Sequence, residues 1–130
     1  MTALLIETST QDAAIALLEK KDLLTHVPLP GNKELSKLLI PGIQQLLRTG
    51  KKLDYIAVGI GPGSYTGTRV GVTVAQTLSF ALKIPLIGFP SALVKEQDLA
   101  PAAAYAFAKW EKKEFEPIEL VYEQRRSDER

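Results

Sequence analysis

Apolar and polar positions alternate in blocks over the first thirty residues. Ala3–Thr10 opens with Leu4, Leu5 and Ile6 in a row and stops at the turn signal Gln11-Asp12. A contiguous apolar run of this length predicts a strand covered on both faces. Ala13–Leu18 is a second run, closed by Glu19-Lys20-Lys21-Asp22, and Leu23–Pro28 a third, shorter one. Short runs separated by polar turns predict an antiparallel meander. Pro28, Pro30 and Gly31 break the pattern.

The period then changes. Leu35, Leu38, Leu39, Ile43, Leu46 and Leu47 fall on one face at 3.6 residues per turn and predict a helix over 33–48. Asn32 stands at its N-cap position and Gly50 at its C-cap position, while Pro41 removes one hydrogen bond inside it. Leu53–Ile60 predicts a strand, Gly61–Gly67 a glycine-rich loop, Thr68–Lys83 a second helix and Pro85–Gly88 a short strand. That order is a parallel crossover unit. Beyond Pro90 an alanine-rich helix is predicted over 100–110, a strand over Ile118–Tyr122, and a charged tail over 123–130.

The loop carries the candidate chemistry. Gly59, Gly61, Gly63 and Gly67 lie in one short stretch between a strand and a helix, where phosphate-binding loops occur. A Walker loop needs Gly-Lys-Ser/Thr, and no lysine stands between Asp54 and Leu82. A dinucleotide fingerprint needs glycines at offsets 0, 2 and 5, and Thr66 or Ser64 takes the last offset. A tight turn and an anion contact through Ser64, Thr66 and Thr68 both remain open. The following helix repeats Gly67, Gly71 and Ala75 every fourth residue, flanked by Val70, Val74, Leu78 and Leu82. A mid-helix glycine costs about 1 kcal/mol against alanine, so something must approach that strip closely. It is either a strand of the same domain or a helix of another chain.

Composition narrows the classes. The chain has 130 residues, 16 basic and 15 acidic side chains and a net charge of +1, so it has no global field to hold nucleic acid. An RNA contact would need a local patch or a partner. Lys109, Lys112, Lys113, Arg125, Arg126 and Arg130 are interleaved with Glu111, Glu114, Glu116, Glu123, Asp128 and Glu129, which reads as a solvated face. There is no cysteine, which excludes a disulfide scaffold and a thiolate site and fits a reducing, cytoplasmic compartment. The single histidine, His26, argues against a histidine-built metal centre. No apolar run reaches the length of a membrane span.

Leu5-Ile6-Glu7-Thr8-Ser9-Thr10, Gly61-Pro62-Gly63-Ser64-Tyr65-Thr66-Gly67-Thr68-Arg69-Val70-Gly71 and Ile84-Pro85-Leu86-Ile87-Gly88 resemble the TsaB (YeaZ-like) family, with the leucine-proline helix around Pro41 also matching. The resemblance covers about residues 3–93. It implies an α/β fold of the actin/Hsp70 (ribonuclease H-like) type: an N-terminal lobe, residues 1–95, with a mixed five-stranded sheet and flanking helices. Most of the second lobe is absent, and residues 96–130 form a residual segment of helix, short strand and charged tail. It further implies a non-catalytic partner of the TsaD threonylcarbamoyltransferase, working with the TsaE ATPase on tRNA that is reached only through the complex. A homodimeric remnant without activity and an actin-like nucleotide-binding hydrolase or phosphotransferase are the alternatives. No resident cofactor is implied; ATP or ADP with magnesium belongs at most to a shared interface. The candidate loop and anion-binding residues are Glu7, Gly61, Gly63, Ser64, Thr66, Gly67 and Arg69. The candidate interface is Leu35, Leu38, Leu39, Ile43, Leu46, Gly67, Val70, Gly71, Val74, Ala75 and Leu78. The family usually has aspartate where Glu7 stands, a departure that bears on nucleotide binding.

Overall fold

A computed structural model describes residues 1–31 and 34–118. Five strands form one sheet: β1 (Thr2–Glu7), β2 (Ala14–Glu19), β3 (Asp22–Pro28), β4 (Tyr55–Gly59) and β5 (Leu86–Phe89), in the order β3-β2-β1-β4-β5. The meander β1-β2-β3 is antiparallel and β1-β4-β5 is parallel, so the sheet is mixed. Helices α1 (Leu35–Leu47) and α2 (Tyr65–Leu82) cover one face, and α3 (Ala100–Glu111) covers the other.

The two faces are built from different side chains. Leu4, Ile6, Ile15, Leu17, Ile56 and Val58 point to α1 and α2 and meet Leu35, Leu39, Ile43, Leu46, Val72 and Ala75. Ala3, Ala14, Ala16 and Ala57 point the other way and meet Ala102, Ala103 and Ala106 of α3. Small side chains on both partners let that helix lie close to the sheet, which explains the alanine-rich stretch beyond Pro90. Tyr55 and Trp110 stack at 5.7 Å between ring centres and close the end of this layer.

Two elements depart from the sequence expectation. Helix α2 begins at Tyr65, three residues before the predicted start, because Ser64 is its N-cap: its Oγ accepts from the Gly67 amide at 3.0 Å. Gly67 is therefore helical, and the loop is only 60–64. The strand expected over Ile118–Tyr122 lies outside the described residues apart from Ile118, which is not in a strand; the expected cap Asn32 also lies outside them. Helix α1 continues through Pro41 and ends at Leu47 with Arg48, not Gly50, as its C-cap; Gly50 takes a positive φ of 73° two residues further on, where the chain turns towards β4.

Candidate functional site

The end of β1 is the centre of the site. Gly59, Gly63, Gly67 and Gly71 recur every fourth residue, and each leaves room for the segment Glu7-Thr8-Ser9. A Cβ at Gly59 would overlap the Glu7 carboxylate, one at Gly63 the Ser9 backbone, one at Gly67 the Thr8 carbonyl, and one at Gly71 the Thr8 hydroxyl. The Thr8 hydroxyl donates to the Gly67 carbonyl, and the Ser64 amide donates to the Ser9 carbonyl at 2.9 Å. The glycine series thus lets the start of α2 seat directly on the end of β1.

Glu7 is fully buried. Its Oε1 accepts from Ser91 Oγ at 2.7 Å, and its Oε2 accepts from the amides of Ser9 at 2.9 Å and Thr10 at 3.1 Å. Ser91 Oγ in turn accepts from the Gly61 amide at 3.0 Å, and the Ser91 amide donates back to the Gly61 carbonyl at 3.0 Å. Burial raises the Glu7 pKa above its ordinary value, and the hydrogen bonds from Ser91, Ser9 and Thr10 oppose that rise. The carboxylate ties three connections together: β1–β2, β4–α2, and the short 3₁₀ turn Ser91–Leu93.

Beside this knot lies a groove of about 690 Å³, lined by Thr8, Ser9, Thr10, Gln11, Ser64, Thr66, Gly67, Leu35 and Val70, among others. Its described lining carries hydroxyls, amides and aliphatic groups, which can hold a small polar molecule but supply no general base. Of the predicted loop residues, Gly63, Ser64, Thr66 and Gly67 border the groove. Glu7 and Gly61 are consumed by the Ser91 network. Arg69 is exposed, with its guanidinium 5.2 Å from the Tyr65 ring centre. A magnesium-nucleotide therefore does not fit the carboxylate: both Glu7 oxygens already accept hydrogen bonds from the chain itself, and neither belongs to the groove lining. His26 hydrogen-bonds Gln97 at 2.9 Å. Among the described residues no three His, Cys, Asp or Glu side chains converge as a metal-holding group.

The family model of TsaD, tRNA N6-adenosine threonylcarbamoyltransferase, matches residues 22–98. The tRNA threonylcarbamoyladenosine biosynthesis protein TsaB of Haemophilus influenzae is 35% identical over 91 residues, 67% of this chain and 38% of that protein. TsaB of Bacillus subtilis is 39% identical over 90 residues, 66% of this chain and 39% of its own length. The chain belongs to the TsaB family. The solved structure of YeaZ from Pseudomonas aeruginosa superposes with a TM-score of 0.59 at 34% identity, covering 68% of this chain and 43% of that one. The fold is accordingly the actin-like, ribonuclease H-like N-terminal lobe. The chain spans about two fifths of the length of these TsaB and YeaZ relatives.

The interface expected on this TsaB-family chain needs correction. Leu35, Leu39, Ile43, Leu46 and Ala75 lie in the chain's own core. Gly67 and Gly71 are buried against Thr8. The small-residue strip therefore accommodates β1 of the same domain and leaves no room for another chain's helix. Leu38 is exposed, and Val70, Val74 and Leu78 are half-buried on the flank of α2. Sequence reasoning missed Ser91 as a site residue, since 84 positions separate it from Glu7. The hydroxyl run Thr8-Ser9-Thr10 was a usable signal for the groove.

Proposed function

We propose that this chain is a non-catalytic docking subunit of the machinery that makes threonylcarbamoyladenosine beside the anticodon of tRNA. It seats a TsaD-like transferase, with a TsaE-like ATPase completing the assembly. Residues 1–95 form the docking lobe, and α3 caps its far face. The kinship with proteins named for this biosynthesis supports the pathway. The observation that carries the docking role is the outer side of the α1/α2 layer. Leu38 is 43% exposed and Ile40 51% exposed on the two flanks of the buried stripe of α1, and Val70, Val74 and Leu78 are half-buried on α2. We read these apolar positions on the helix layer as the docking face.

A phosphotransferase would need its strand-end carboxylate free to face a ligand, and Glu7 is engaged on both oxygens. The test is co-purification of the full chain with the cognate TsaD-like subunit, together with restoration of threonylcarbamoyladenosine in cells lacking full-length TsaB. Association at micromolar concentration is expected. Its absence removes the docking role.

A further inference from the structure

The near-zero net charge conceals a separation of charge that the topology creates. The β2–β3 turn, the α1–β4 connection and the α2–β5 connection all lie at the same end of the sheet. Hydrogen bonds join them side by side: the Lys20 amide to the Met1 carbonyl at 3.0 Å, the Asp54 amide to the Thr2 carbonyl at 2.7 Å, and the Ile56 amide to the Pro85 carbonyl at 3.0 Å. These connections carry Lys20 and Lys21, then Arg48, Lys51 and Lys52, then Lys83, and all six side chains are exposed.

The six cations share this end with Glu19, Asp54 and the exposed Asp22, with Lys20 and Lys51 acting on the Glu19 carboxylate, and the stacking of Trp110 on Tyr55 brings Glu111, Lys112 and Lys113 to the same end. Glu19 binds the Met1 amine at 2.6 Å, and Asp54 accepts from the Thr2 amide at 2.9 Å. Among the described residues, none of the six cations is in an ion pair. The opposite end holds Asp12, Glu34, Glu96 and Asp98 against Lys37, Arg69 and Lys95. Two of the six lysines and arginines also hold left-handed backbone, Lys20 at φ 56° and Lys83 at φ 57°. Glu96, Gln97 and Lys113 hold the same conformation elsewhere in the chain.

We infer that this end of the sheet is a phosphate-backbone contact for RNA. From β2 to β5 is three strand spacings, about 15 Å at ~4.8 Å each, and the cations are spread along that width. A duplex strand carries one phosphate per about 3.4 Å of axis, so a run of about four phosphates matches the strip. Phe80, 86% exposed and one turn before Lys83, adds a ring on which an unpaired base can stack. Cations spread along a strip beside a lone aromatic ring favour a nucleic-acid strand over a compact acidic protein. The inference rests on the proposed function for choosing tRNA among RNAs, and it gives this subunit its own hold on the substrate.

The test measures anisotropy of a labelled tRNA transcript with the full chain across a salt series. A variant carrying Lys20→Ala, Lys21→Ala, Lys51→Ala and Lys52→Ala is compared with a Lys37→Ala/Lys95→Ala control from the opposite end. The expected result is at least tenfold weaker binding for the first and unchanged binding for the second. The log–log salt slope should fall by about 3, at roughly 0.7–0.9 per phosphate contact. Co-purification with the TsaD-like subunit, measured in parallel, should survive all four substitutions. Unchanged tRNA affinity in the four-site variant overturns the inference. So does equal displacement of tRNA by polyglutamate at matched charge, or a four-site loss confined to phosphatidylserine vesicles. Failure of the unsubstituted chain to co-purify, with tRNA binding intact, overturns the proposed function alone.

Discussion

At the scale of single residues, Glu7 sets the local pH behaviour. Its folded pKa is raised by burial, so the unfolded chain releases the proton first as pH rises. The stability that goes with the protonated form is complete below the ordinary value of 4.5 and is lost as pH rises through the folded value. Glu7→Gln keeps the shape and removes the titration. The melting temperature of the native chain minus that of Glu7→Gln should therefore fall as pH rises above 4.5. A difference that stays flat over this range would show that the carboxylate does not titrate as a desolvated group. Tyr55 offers a second test. Its hydroxyl is buried without a hydrogen-bond partner, and burial holds its pKa well above the usual tyrosine range. Tyr55→Phe removes an unsatisfied group at constant shape and should stabilise the fold by about 1 kcal/mol in denaturant melts. Neither the depth of Glu7 nor the isolation of Tyr55 could be read from neighbours in sequence, because both depend on residues from distant elements.

At the scale of elements, Gly42 of α1 and Gly71 of α2 are both interior to their helices, and the two should respond differently to alanine. A Cβ at Gly71 would meet the Thr8 hydroxyl, which is held by the Gly67 carbonyl and cannot swing away. A Cβ at Gly42 would meet Ile15 Cδ1 at 3.0 Å, the free end of a flexible side chain. Gly71→Ala should cost about 1–3 kcal/mol as overpacking, despite a helix-propensity gain of about 1 kcal/mol. Gly42→Ala should be near neutral. Adding Thr8→Ala to Gly71→Ala should recover about 1 kcal/mol or more, a coupling that a double-mutant cycle in urea reads directly. The strands and helices themselves were legible, since contiguous apolar runs and a 3.6-residue apolar period are local signals. The start of α2 was not, because Ser64 becomes a cap only once its hydroxyl meets the Gly67 amide.

At the scale of the whole molecule, two surfaces of different chemistry occupy different places. The apolar flank of α1 and α2 is the proposed protein face, and the lysine-bearing end of the sheet is the inferred RNA face. Leu38→Glu with Ile40→Glu should weaken capture of the TsaD-like subunit at least tenfold and leave the melting temperature within about 2 °C, since surface changes typically stay within ±0.5 kcal/mol. Gly71→Leu would be an uninformative probe of that face, because it would unseat α2 from β1. The candidate interface in sequence mixed both kinds of residue. Leu35, Leu38, Leu39, Ile43 and Leu46 share one apolar period, and periodicity does not say which member reaches the core.

The amino-acid sequence by itself determined the five strands, the three helices, the crossover unit and the family, because these rest on local apolar runs, a local helical period and one long glycine motif. It also established that no single sign of charge dominates the chain. Only the tertiary structure decided what the glycines are for. Their spacing of four has meaning once the end of β1 lies across the start of α2, a contact between segments more than fifty residues apart. It likewise decided that Glu7 is held by Ser91, and that six scattered cations share one end of the sheet. Each of these depends on which elements the backbone hydrogen bonds place side by side, a relation that no local window of sequence contains.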